Sequence, residues 1–228
     1  MRTLQKQNGF TLIEIAIVLV IIGLLLGGVL KGQELINSAK VKNLANDFRN
    51  VPLFIYGYQD KYKALPGDDA NYSIHVGAAA TAAGVTLLQT QGGGTTLGNG
   101  RLEGSYNSTS NTAETVTFWQ QVRLANLASG TTDFTTNGVL AAMPTNAEGG
   151  HIGVQSDAPI TGMSGSYFVC SDGIQGKFAK QIDITLDDGN TDQGSVRVAV
   201  GPYGGTALAA VTSTAIVDSN VYVVCMSL

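Results

Sequence analysis

The 228-residue sequence predicts an α+β protein, with one long N-terminal transmembrane and stem helix packed on a C-terminal antiparallel β-sheet domain. Three observations carry that expectation. Residues 10–30 contain no charged side chain except Glu14. Residues 31–62 continue with apolar side chains near helical spacing. Two runs in the last third, 166–170 and 221–225, are rich in the β-branched and aromatic residues that favour strands.

The first nine residues are polar and carry Arg2 and Lys6 but no acid. The apolar block at 10–30 is 21 residues long, about 31 Å as a helix, which matches the hydrocarbon thickness of a bilayer. A cleavable secretory signal has a shorter apolar core that ends in small residues, whereas here the small residue Gly9 precedes the block. The basic leader favours a cytoplasmic N-terminus, against the opposing pull of Lys31, Lys40 and Lys42 on the other flank. A carboxylate within such a block costs at least about 2.5 kcal/mol, so Glu14 reads as a functional residue.

Gly9-Phe10-Thr11-Leu12-Ile13-Glu14 followed by a long apolar helix resembles the processing site of type IV pilins and pseudopilins. The resemblance covers the first quarter of the chain. It implies cleavage after Gly9 by a prepilin peptidase and methylation of the new N-terminal residue, Phe10. It also implies an assembly role for Glu14, whose carboxylate would pair with the free N-terminal amine of a neighbouring subunit. Neither charge could be buried alone. The expected organisation is a leader at 1–9, a membrane and filament-core helix at 10–30, an amphipathic stem at 31–65 and a soluble pilin-like domain at 66–228 with a loop-rich insertion at 67–114.

In the stem, Leu35, Ile36, Leu44, Phe48, Val51 and Ile55 recur near helical spacing, with Lys40, Lys42, Asp47 and Arg49 between them. Pro52 is expected to kink the helix and Leu65-Pro66-Gly67 to end it. The glycine-, alanine- and threonine-rich stretch at 67–114, centred on Gly92-Gly93-Gly94, reads as loop with short ordered pieces, too poor in apolar residues for a core of its own. No Gly-Lys-Ser/Thr follows its glycines, which excludes a phosphate loop. Residues 115–127, with Phe118, Trp119, Val122 and Leu124, predict a short amphipathic helix whose tryptophan is structural.

The last third predicts strands at 166–170 and 221–225 and a third through Val196, Val198 and Val200, with a helix through Phe178, Ile182 and Leu186 between them. Cys170 and Cys225 fall at the ends of two strand runs in a domain that the anchor places in an oxidising compartment, which predicts a disulfide. It would contribute on the order of 4 kcal/mol in the chain-entropy account. Pilins commonly carry such a C-terminal disulfide. A nucleophilic Cys170 acting with His151 is the rival reading, and nothing in the sequence orients that pair.

Asp187, Asp188, Asn190 and Asp192 present oxygens at a spacing that suits calcium, although glycine falls one place late and Ala199 stands where a closing glutamate belongs. The same residues suit a turn that terminates the preceding helix, with Arg197 or a cation offsetting the acids. Both readings stand at this point, and no other cofactor is implied. His75 reads as solvated. Asn71-Tyr72-Ser73 and Asn107-Ser108-Thr109 are glycosylation sequons.

Charged residues make up 13% of the chain, about half the usual share. The net charge is −4 and falls to −6 when a 1–9 leader is removed, which disfavours phosphate neutralisation, and direct nucleic-acid binding is not expected. No catalytic constellation is present. The resemblance implies a structural subunit of a type IV pilus or related filament. Its partners would be other pilins, prepilin peptidase, the inner-membrane assembly platform and the membrane. Such a protein is a single-pass inner-membrane protein of bacteria before assembly and part of a surface filament after it. A type II secretion pseudopilin, a minor pilin and a non-polymerising membrane-anchored adhesion domain are the alternatives.

Overall fold

The computed structural model describes residues 11–88 and 97–228. The leader, Gly9 and Phe10, and the glycine run at 92–94 lie outside the described residues. In chain order the elements are α1 (Leu12–Tyr62), α2 (Tyr72–His75), α3 (Gly77–Ala83), α4 (Glu114–Leu124), α5 (Val139–Ala142), β1 (Ile152–Gln155), β2 (Phe168–Gln175), α6 (Gly176–Leu186), β3 (Val196–Ala199) and β4 (Val221–Ser227). A long N-terminal helix with a four-stranded antiparallel sheet is the α+β layout that the sequence predicts. The chain divides into two compact units between Ala39 and Lys40.

The first unit holds the start of α1. This helix is long and apolar enough to cross a membrane. From Leu12 to Leu30 its large apolar side chains are exposed in the single chain, and a Cβ added at Gly23, Gly27, Gly28 or Gly32 would meet nothing within 4 Å. Leu35 and Ile36, expected on a packed face, are also exposed.

In the second unit α1 buries Val41, Leu44, Ala45, Phe48, Val51, Ile55 and Tyr58 at alternating three- and four-residue steps. Pro52 lies inside α1 without ending it. The helix ends at Tyr62, and Lys63 follows in the left-handed conformation at φ 57°. Gly67 has φ +92°, and any side chain there would strike the carbonyl of Glu114 and the Leu102 side chain.

The described parts of the 67–114 stretch are more ordered than their composition suggests. Val76, Ala80, Leu88, Leu102 and Tyr106 are buried, so the stretch adds to the core although it has none of its own. Its covering loops converge on α4, every residue of which is buried. That corrects the expectation of an amphipathic helix: α4 has no wet face. Its polar side chains serve the backbone of the loops instead. Gln120 donates through Nε2 to the carbonyls of Thr86 (2.8 Å) and Thr132 (2.9 Å) and accepts from Leu88 N at 2.7 Å. Gln121 Oε1 accepts from Gly67 N at 2.6 Å. Buried backbone groups need partners, and these two amides supply them.

The sheet order is β1-β2-β4-β3, antiparallel throughout. Both of its faces are covered. Val154, Val169, Ile174, Val196, Val198, Tyr222 and Val224 belong to the main core with α1, α4 and α6. Phe168, Cys170, Ala199, Val223 and Cys225 form a second cluster with Tyr106, Ile160, Met163 and Tyr203 from loops. Cys170 lies directly opposite Cys225 in the β2–β4 register. Predicted strands begin or end within two residues of those observed, except that Val200 lies past the end of β3 and is exposed. The sequence reading misses β1, four residues that carry no clear alternation.

Candidate assembly segment and polar sites

At the start of α1, Thr11 and Glu14 make a reciprocal capping pair. Thr11 N and Oγ1 donate to Glu14 Oε2 at 2.8 and 2.7 Å, and Glu14 N donates to Thr11 Oγ1 at 3.3 Å. A threonine three residues before a glutamate is the capping-box pattern, which satisfies two of the N–H groups a helix start leaves open. The pattern is legible in Thr11-Leu12-Ile13-Glu14 but is easily overlooked when Glu14 is read only as a charge inside an apolar block. Gly9 and Phe10, assigned from the resemblance to processing and assembly, lie outside the described residues.

Cys170 and Cys225 are joined in a disulfide that closes a 55-residue separation. With its sulfur bonded, Cys170 is not available as a nucleophile for His151. His151 N instead donates to Asp172 Oδ1 at 2.6 Å.

The acidic stretch after α6 is organised by its own backbone. Asp187 Oδ2 accepts from Ser195 N (2.6 Å) and Val196 N (3.0 Å), and Asp188 Oδ1 accepts from Asn190 N at 2.9 Å. Arg197, one of the two expected counter-charges, donates to the carbonyls of Gly194 (3.4 Å) and Thr161 (2.8 Å). Among the described residues, no group of three or more His, Cys, Asp or Glu side chains could hold a metal ion. Asp187 and Asp188 are thus bonded to amides of the turn itself. One further acid, Asp183, is buried beside this turn. Burial, then the charges of Asp187 and Asp188, push it up to about 6.

Two other polar clusters were not anticipated from the sequence. Asp68 accepts from the backbone N–H groups of Gly98, Asn99 and Gly100 and pins that loop. Asp69 Oδ2 accepts from Tyr58 Oη at 2.8 Å and lies 2.7 Å from His75 Nδ1, while Tyr62 stacks on the His75 ring at 4.9 Å. His75 is thus a paired, half-buried residue, not a solvated one. Nearby, Glu114 Oε2 accepts from Glu103 N at 2.8 Å. Burial, the hydrogen bond to the Glu103 side chain, and the charges of Glu103 and Asp68 push the Glu114 carboxyl up to about 8. These contacts join residues up to 32 positions apart, a distance at which no sequence motif signals them.

The fold defines an α+β protein led by a helix of membrane-spanning length. Residues 4–30 match the family model of the prokaryotic N-terminal methylation motif. The chain therefore carries the prepilin-type signal of type IV pilins. No curated protein matches the chain.

Proposed function

We propose that this protein is a structural subunit of a type IV pilus or related filament, anchored in the bacterial inner membrane by α1 and then polymerised through it. The observation that carries the reading is the methylation motif at 4–30 together with the helix from Leu12, whose apolar side chains from Leu12 to Leu30 are exposed in the single chain. Such a surface is stable only in lipid or against other apolar helices. The open glycines at 23, 27, 28 and 32 permit close helix approach in either setting. Processing would expose the amine of Phe10 and make Glu14 the fifth residue of the mature chain, and the Glu14 carboxylate would pair with the amine of a neighbouring copy.

The test is direct. Mass spectrometry of protein from cells with and without the prepilin peptidase reads the N-terminus, and electron microscopy of overexpressing cells reads filaments. A methylated Phe10 terminus and surface filaments are expected. An unprocessed Met1 terminus in peptidase-positive cells overturns the reading. Copies counted per filament length separate a major subunit from a minor pilin, and filaments confined to the periplasm indicate a secretion pseudopilin.

A further inference from the structure

A cavity of about 170 Å³ opens between α1, α4 and β1, lined by Asp47, Asn50, Val51, Phe54, Trp119 and Ile152 among others. One ordered water needs only about 10–15 Å³, so the space accommodates an organic group. Two polar side chains that line it have no hydrogen-bond partner among the described residues. Trp119 is 3% exposed, and its Nε1 has no hydrogen-bond partner among the described residues. Asp47 is half-buried and has no hydrogen bond or ion pair among the described residues. Burial alone pushes its carboxyl up to about 6.

The cations of the same region are committed elsewhere. Lys40 Nζ lies 2.6 Å from Glu148 Oε1, and Arg49 donates to the carbonyl of Thr185 at 3.4 Å. Arg123 sits over the Trp119 ring at 5.9 Å, but its Nη1 donates to the carbonyls of Thr131 (2.8 Å) and Ala142 (2.6 Å). Asp47 therefore has no ion-pair partner among the described residues. The cavity wall is aromatic, with Phe54 and Trp119 edge-to-face at 6.3 Å. An acid beside aromatic rings is the chemistry that recognises organic cations.

We infer that this cavity is a binding site for one basic group, an alkylammonium or guanidinium, with Asp47 as its counter-ion and the Phe54 and Trp119 rings as its wall. A free amine and a lysine or arginine side chain within a peptide present the same cation, and the peptide-borne group adds backbone that can pack beside it.

The chain has one tryptophan, so its fluorescence and its single indole N–H resonance both read this cavity. Full-length protein in uncharged detergent at about pH 8 is titrated with n-butylamine, N-acetyl-lysine methylamide, N-acetyl-arginine methylamide and the uncharged n-pentanol. Saturable changes with the charged probes and none with pentanol are expected. Asp47→Asn is expected to weaken binding by about tenfold or more, as loss of a charge-assisted contact does, and Asp47→Glu to restore part of it. Tighter binding of the acetylated amides than of butylamine supports the site with a peptide as its source. Equal binding supports it with a free amine. Absence of any saturable change in both readouts, an equal response to pentanol, or unaltered binding by a folded Asp47→Asn protein overturns it.

Discussion

The Glu14 carboxylate is held by Thr11, three residues earlier, through both the backbone N–H and the hydroxyl. In the single chain this carboxylate therefore already has a partner, and the helix start is closed by it. A role in pairing with another subunit's amine would require Glu14 to exchange these local donors for a charge. The two residues should then separate in experiment. Glu14→Ala should abolish filaments in cells, as seen by microscopy. Thr11→Ala should leave filaments intact while costing about 1 kcal/mol of local helix stability, read as faster amide exchange at residues 12–15.

Loss of the Cys170–Cys225 bridge should destabilise the second unit strongly. Replacing both residues by serine is expected to cost on the order of 4 kcal/mol in chemical denaturation, the chain-entropy value for a loop of this size. Because Cys170 and Cys225 sit in the covered face behind the sheet with Phe168 and Val223, reduction should be slow until the protein is partly unfolded. Gel mobility with and without reductant, read against time, checks this.

Glu114 gives stability a pH dependence of definite sign. Its folded-state value of about 8 lies above the ordinary 4.5, so the folded protein retains a proton that the unfolded chain releases. The contribution is complete below 4.5 and is lost as pH rises through about 8. Denaturation midpoints measured across that range should decline for the natural protein, and Glu114→Gln should flatten the decline.

Gln120 should be among the least replaceable polar residues of the molecule. Gln120→Leu would leave Leu88 N and the carbonyls of Thr86 and Thr132 without their present partner. Of these, the Leu88 N–H is buried, and stranding it costs about 1–3 kcal/mol. Thermal denaturation is expected to show a large loss, and Gln120→Glu should not rescue it, because a carboxylate donates nothing to the two carbonyls.

The parts of the fold that were legible in the sequence are those fixed by local pattern. The apolar block, the spacing of Leu44, Phe48, Val51 and Ile55, and the β-branched runs around Cys170 and Cys225 each carry their own period. Less legible was anything set by distant segments. The Gln120 and Gln121 side chains look like a wet helix face until the loops that bury them are in place. Asp68 and Asp69 look like ordinary turn acids, although one pins residues 98–100 and the other joins Tyr58 to His75. Thr11 and Glu14 are different. Their relation is written in a four-residue motif, Thr11-Leu12-Ile13-Glu14, that needs no distant segment.

The disulfide also bears on how quickly the domain can form. Strands β2 and β4 are the central pair of the sheet, yet α6, β3 and the loops around them lie between the two in sequence. Closing so long a loop before its contacts can compensate is slow. Oxidation that comes early would hold Cys170 and Cys225 together and leave the intervening helix and strand only local searches. Oxidation that comes late would leave the exposed edges of β2 and β4 searching for each other, beside an apolar helix. For a chain of this kind, the timing of one sulfur–sulfur bond sets how long the unfinished sheet is open to aggregation.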